Sequence, residues 1–340
     1  MDITKRDSKM LKGVAILSML MLHLFCRREN LPYTPLLWVN DTPLIYYFAL
    51  FGDICVAIYC FISGYAHYLQ SSKSALRQRW KRLLRFFIPF WVIIIVFSLV
   101  GLLTGNAEIP KDWKTFLLHC LTIKNSYSGA WWYANTYLVL IILQPLSRKF
   151  AERFPAWLAL SLSFAFYVFG YGIRFWDWGA VSSAILSWII FHLGLLGTSY
   201  FPYMLGMLFC KWQVIAKLRQ RLSSFRRGSL ITLALIAFAA MLLLHSIVQP
   251  LFIAAFTALA SVVLLCICPP FEFLVRLLCY LGDHSANIWL THTFFYSVLF
   301  NGLVFRAKYP LPIVLLLLAL SLASSYVIRG LSKPILKLLR

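Results

Sequence analysis

The chain has 340 residues, of which 61% are hydrophobic and 13% charged, and its 32 lysines and arginines against 11 acids give a formal charge of +21. That composition excludes a soluble globular domain, and apolar runs of about 18 residues or more recur along the whole length, each able to cross a ~30 Å hydrocarbon core. Strand-like alternation is absent, so the reading is all-α: a polytopic transmembrane helical bundle whose backbone groups are satisfied within each helix.

In chain order the expected crossings are 10–27, 44–69, 86–105, 131–147, 155–173, 180–211, 229–247, 249–268, 278–303 and 310–330. The first has signal-peptide length, but Cys26, Arg27 and Arg28 follow it where a small-residue cleavage site would stand, so it is read as a retained helix. The stretch Ser71–Phe86 reads as an amphipathic basic helix on anionic headgroups. Between the third and fourth crossings, "DWKTFLLHCL" reads as a short surface helix. The sixth crossing is too long for one straight span, and a re-entrant or interfacial piece over Ala180–Gly197 is expected before a helix through "SYFPYMLGMLFCKW". No internal repeat is visible, and the simplest parse is a single membrane-embedded domain over 1–340.

Basic residues set the orientation, because cytoplasmic loops are enriched in Lys and Arg. With the N-terminus inside, 24 of the 32 fall in cytoplasmic segments, so both termini are expected there. The net charge is thereby a topology signal, and nucleic acid is not needed as a partner. The eight cysteines lie mostly in apolar runs, and the Cys266–Cys268 pair lacks a second pair or a ligand histidine, so no metal site is expected.

Titratable side chains inside apolar spans are costly and mark function by default. His23 lies in the first crossing, eleven residues after Lys12; on a helix that is ~16 Å of rise and only ~20° of rotation, so the two share a face. Asp53 is the only acid well within an apolar span, about 14 Å below the outer boundary and near the level of His23, where a carboxylate would fix an imidazole's tautomer and raise its basicity. "YLGDHSANIWLTHTFFY" adds His292 at a similar depth; Ser285 shares its face, without any nucleophile-elbow motif. Structural alternatives stand beside each: a neutral histidine bridging helices, and an aspartate paired with a nearby arginine. His67, His119, His192 and His245 fall at helix ends or in loops, where a satisfied interfacial histidine is the plainer reading. Trp131 and Trp132 open the fourth crossing on the outer side, as aromatic belt or as faces for a sugar. Nucleotide-loop, zincin and dinucleotide-binding motifs are all missing.

Four segments together resemble acyltransferase family 3, a family of bacterial integral membrane proteins. They are "LKGVAILSMLMLH", "GDICVAIYCFISGY", "GAWWYANTYLVLIILQPL" and "YLGDHSANIWLTH", in family order over about residues 8–300. Many members carry arginine where this chain has Lys12, which offers a point charge without the bidentate fork. Asp53 is not carried over from the family. The resemblance implies transfer of an acetyl group from cytosolic acetyl-CoA to a hydroxyl of a cell-envelope carbohydrate, in the bacterial cytoplasmic membrane, without a metal. "FCRRENLPYTPL" further resembles enzymes that O-acetylate capsule or exopolysaccharide.

On that reading Lys12, with Arg82 and Arg85 of the basic segment, holds the phosphates of acetyl-CoA. His23 is general base or transient acyl carrier, with Asp53 and His292 beside it. Arg27, Arg28, Glu29, Trp131 and Trp132 meet the acceptor, a polysaccharide or its lipid-linked unit. Membrane lipid is the third partner, and a homo-oligomer is left open. The rival from a different class is a transporter or flippase for a lipid-linked sugar or small anion, with His23, Asp53 and His292 as a proton relay.

Overall fold

The structure, a computed structural model, describes residues 2–70, 75–176 and 183–338. Its elements in chain order are α1 (Lys5–Phe25), a hairpin of β1 (Trp38–Val39) and β2 (Thr42–Pro43), α2 (Leu44–Phe51), α3 (Ile54–Leu69), α4 (Ala75–Leu103), α5 (Trp113–Cys120), α6 (Trp132–Arg153), α7 (Ala156–Phe175), α8 (Ala184–Trp212), α9 (Val214–Leu222), α10 (Arg227–Ile247), α11 (Pro250–Ile267), α12 (Glu272–Thr293) and α13 (Pro310–Lys337). The fold is an all-α helical bundle. Among the described residues, eight spans can cross a membrane by length and composition: α1, α2 with α3, α4, α7, α8, α10, α11 and α13. The 22-residue helices α6 and α12 are long enough as well but are interrupted by more polar residues and are not among these spans; a helix nevertheless lies at each expected crossing.

Three details differ from the sequence reading. The second crossing is two helices, interrupted at Gly52–Asp53. The basic segment from residue 75 onward is the continuous N-terminal part of α4 and not a separate surface helix. At the start of the sixth crossing, residues 180–182 lie outside the described residues; from Ala184 to Trp212 the chain is one helix of 29 residues, Pro202 included. At ~1.5 Å per residue it outruns a ~30 Å core, so tilt or emergence from the core replaces the expected re-entrant piece. Pro202 removes one helical hydrogen bond, that to the Thr198 carbonyl, and a proline is tolerated within a membrane helix where neighbours re-satisfy the freed group.

The chain forms two compact units, the first made of Met1–Met19, Leu50–Ser71 and Val139–Asp283, the second of Leu20–Ala49, Ser72–Leu138 and His284–Arg340. In the first, α3 and α8 touch backbone to backbone: a Cβ built on Gly64 would stand 1.9 Å from the Tyr203 carbonyl oxygen, and one on Gly206 2.0 Å from that of Phe61. The pair Gly13 and Gly282 does the same for α1 and α12, at 2.0 Å from the Leu278 oxygen and 1.9 Å from that of Lys9. Lipid supplies no hydrophobic drive between helices, so close approach through small residues is what holds them. A surface ion pair, Lys9 to Asp283 at 2.8 Å, lies beside the second contact.

The second unit holds α4, α5, α13, the β hairpin and the adjoining ends of α1, α6 and α12. Asn40 and Asp41, both with positive φ (45° and 56°), form the tight turn between β1 and β2. Asp112 caps α5, accepting from the Thr115 N–H at 2.7 Å and the Thr115 hydroxyl at 2.8 Å; these bonds hold its carboxyl below the usual carboxylate range. After Thr293, α12 widens into a π turn over Phe294–Val298, and Phe294 stacks on Phe97 of α4 with centroids 4.0 Å apart. Turns of this kind are rare and frequent at functional sites.

Candidate active site

His23 occupies the last turn of α1 and His292 the last turn of α12, and the π turn that follows presents Tyr296; all three belong to the second unit. His23 Nδ1 lies 3.2 Å from His292 Nε2 and 3.3 Å from the Tyr296 hydroxyl. His292 Nδ1 in turn lies 2.7 Å from the backbone carbonyl oxygen of Trp289. His292 has no exposed surface, whereas His23 is half-buried.

The protons in this chain follow from what each atom can do. A carbonyl oxygen only accepts, so His292 Nδ1 carries the hydrogen and donates it to Trp289. In the neutral ring Nε2 is then a lone pair, and it accepts from His23 Nδ1–H. The Nε2 of His23 is consequently the basic nitrogen, turned away from both partners. This is the arrangement a general base or nucleophile needs: one ring nitrogen fixed by a second group, the other free to react. The sequence reading gave the orienting part to a carboxylate, and here a second histidine anchored on a peptide carbonyl fills it.

Asp53 lies in the first unit at the Gly52–Asp53 interruption, makes no cap hydrogen bond, and sits in the field of the Arg174 guanidinium at the end of α7. Lys12 is half-buried in the first unit, its carbonyl accepting from the Tyr59 hydroxyl at 3.5 Å. On α4, Arg82 is half-buried with its charge near the Tyr137 hydroxyl, and Arg85 is exposed. Ser285 is buried, and the nitrogen of His292 that a serine nucleophile would need is taken by His23.

Arg27, Arg28 and Glu29 are exposed just after α1. Arg27 is close enough to act electrostatically on Tyr296 and Tyr33, and the Arg28 guanidinium lies 5.0 Å above the Tyr46 ring. Burial pushes the Tyr33 hydroxyl up to about 12, and that oxygen has no hydrogen-bond partner among the described residues. Trp132 is half-buried, its edge against Tyr133. Trp131 departs from the expectation of a sugar-facing ring. It is 2% exposed, ringed by Phe90, Phe294 and Tyr127, and its indole N–H donates to the Leu290 carbonyl at 3.0 Å. A side chain packed on all sides has no face left for a carbohydrate.

Tyr296 and Trp289 were missed by sequence reasoning. The signal for Trp289 was available, since a histidine three residues on along a helix can turn its Nδ1 back to that carbonyl; the signal for Tyr296 was not, because the π turn shifts the helical register.

A family model described as an acyltransferase domain matches residues 7–330. The chain belongs to acyltransferase family 3. It is a multi-pass membrane protein and an acyltransferase, and the transporter reading is set aside on that ground. Neither a curated protein nor a solved structure matches it.

Proposed function

We propose that this acyltransferase moves an acetyl group from acetyl-CoA to a hydroxyl of a cell-surface polysaccharide, or of its lipid-linked precursor, at a bacterial cytoplasmic membrane. The observation that carries the reading is the chain from the Trp289 carbonyl through His292 to His23, which leaves His23 Nε2 as a directed lone pair on a half-buried ring.

In the direct route His23 Nε2 takes the hydroxyl proton as the sugar oxygen attacks the thioester carbonyl. The tetrahedral intermediate collapses to the acetyl ester and expels the CoA thiolate, which recovers the proton from the imidazolium. The same nitrogen serves if it is acylated first and the acetyl group is passed on afterwards. His292 shares the positive charge that develops on His23 through the hydrogen bond to its Nε2. Arg82 and Arg85 of the second unit bind the phosphates of the donor through their planar forks, while Lys12, in the first unit, offers a point charge. Arg27, Arg28, Glu29 and Trp132 meet the acceptor, and the two arginines suit a glycan with acidic substituents.

The test uses purified protein in lipid nanodiscs with radiolabelled acetyl-CoA and extracted surface glycan. Acceptor-dependent release of free CoA, with label recovered as an alkali-labile ester, is the expected result. Absence of any acetyl-dependent CoA release from folded protein would sink the reading. Comparing the surface glycan by NMR with and without the gene identifies the acetylated sugar.

A further inference from the structure

We infer that Trp131 and Trp289 are positioning residues: together they clamp the peptide whose oxygen sets the tautomer of His292, and through it that of His23. The two indoles exchange hydrogen bonds reciprocally. Trp131 Nε1–H donates to the Leu290 carbonyl at 3.0 Å, and Trp289 Nε1–H donates to the Ala130 carbonyl at 3.0 Å. The bonds therefore grip the residues on either side of one peptide unit, Trp289–Leu290, from the Ala130–Trp131 segment. The carbonyl oxygen of that same unit receives His292 Nδ1–H at 2.7 Å.

A peptide oxygen in mid-helix is held by the helical ladder alone. Here the ladder changes register at Phe294, one residue past Thr293, the residue whose N–H would close the α-helical bond to Trp289. A tilt of that peptide would lengthen the bond to His292 and let its ring exchange tautomers, which would reverse the polarity of the whole chain. The clamp opposes the tilt from two directions. It is backed by rings: Trp131 packs edge-on against Phe90 at 5.0 Å and Phe294 at 5.8 Å, and Trp289 stacks with Phe86 at 6.1 Å.

Buried indoles need some acceptor for their N–H, and a merely structural pair would satisfy that need at any carbonyl. The distinguishing test compares Trp131→Phe and Trp289→Phe with Trp91→Phe. Trp91 also donates its indole N–H to a backbone carbonyl, that of Cys120 at 2.9 Å, in the same unit but away from His292. Two readouts are taken from each purified full-length variant: nitrogen-15 NMR of labelled histidine, which reports which ring nitrogen is protonated, and steady-state kinetics with acetyl-CoA.

In the parent and in Trp91→Phe, His292 is expected as a single Nδ1–H tautomer. In Trp131→Phe and Trp289→Phe a mixture is expected, with kcat about five- to tenfold lower, KM for acetyl-CoA unchanged, and an altered pH profile, the scale of one lost hydrogen bond. If phenylalanine prevents folding, benzothienylalanine, which keeps the indole's shape and lacks the N–H, replaces the tryptophan. A pure tautomer in both clamp variants, or an equal shift in Trp91→Phe, overturns the inference. The kinetic arm rests on the acyl-transfer reading and the NMR arm does not, so a parent without transferase activity would sink that reading while the tautomer populations still decide the clamp.

Discussion

Two histidines of the second unit begin from the same device and end in opposite roles. His119, on α5, donates Nδ1–H to the Thr115 carbonyl at 2.7 Å, as His292 does to Trp289. Its Nε2 is then consumed by the Tyr127 N–H at 3.0 Å and the Ser126 hydroxyl at 3.2 Å, and Tyr127 covers one ring face at 3.6 Å. The Tyr127 hydroxyl continues to the Pro110 carbonyl at 2.5 Å, so this histidine pins a loop and has nothing left to react with. In the His23–His292 pair the tautomer is fixed just as firmly, but the fixed chain ends on an open nitrogen. On the proposed reading, a reactive histidine is recognised by where its hydrogen bonds stop, and neither burial nor the presence of partners suffices.

The largest break in this contrast is expected from His23→Ala. General-base catalysis is worth about 10²–10⁴ in rate, so transfer should fall by that factor while the protein remains inserted and monodisperse by size-exclusion chromatography. Retained acetyl transfer would remove His23 from the chemistry. His292→Ala comes next. It frees His23 Nδ1 from its acceptor, and a fall in kcat of about 10²-fold with little change in KM is expected, since an orienting group acts on the transition state more than on binding.

His119→Ala should show the reverse pattern. It removes three hydrogen bonds and a stacked ring from a buried position, a loss of about 2–4 kcal/mol of stability, read as a lower midpoint of thermal unfolding. Activity per folded molecule is expected to stay within about twofold, because none of these bonds reaches His23. A loss of kcat in that variant as large as in His292→Ala would erase the distinction between the two histidines.

Acid should sharpen the same contrast more gently. Burial holds the His119 imidazole below the ordinary histidine value, and the Lys124 charge works in the same direction, against the Thr115 carbonyl. The folded state then binds fewer protons than the unfolded chain, so the stability from the neutral ring is complete above about pH 6.5 and declines as pH falls towards the lowered value. Limited proteolysis of the segment 106–130 should accelerate between pH 7.5 and 5.5, and substituting His119 by phenylalanine should flatten that dependence.

How much of this was legible beforehand differs between fold and site. The helical bundle followed from apolar run length alone, because lipid forces each run into a helix, although only eight spans among the described residues are apolar enough to cross by that criterion. The interruption at Gly52–Asp53 and the single helix that α8 forms from Ala184 onward did not, since both depend on how neighbouring helices pack. His23 stood out as an imidazole inside an apolar span. Asp53 and His292 were both placed near its level, and the orienting part went to the acid because carboxylates are the usual orienters, while a backbone carbonyl carries no mark in a sequence. Trp131 illustrates the same gap: its position at the start of a crossing fits an interfacial belt, while its actual surroundings arise from α4, α12 and the π turn.

Asp53→Asn should give the smallest effect on catalysis. Were Asp53 the orienter of His23, its neutralisation would cost up to about 10⁴ in kcat, as loss of an orienting carboxylate does in hydrolytic triads. His23 Nδ1 already has its acceptor in His292, and the charge near Asp53 is Arg174, whose guanidinium loses the field of that carboxylate when it is removed. A half-buried cation that loses a nearby opposite charge destabilises the fold without touching the lone pair on His23. The expected result is therefore a lower unfolding temperature with kcat within about threefold of the parent, and restoration of stability by pairing Asp53→Asn with Arg174→Gln. A loss of kcat beyond about 10²-fold that the second substitution does not repair would return the orienting role to the carboxylate.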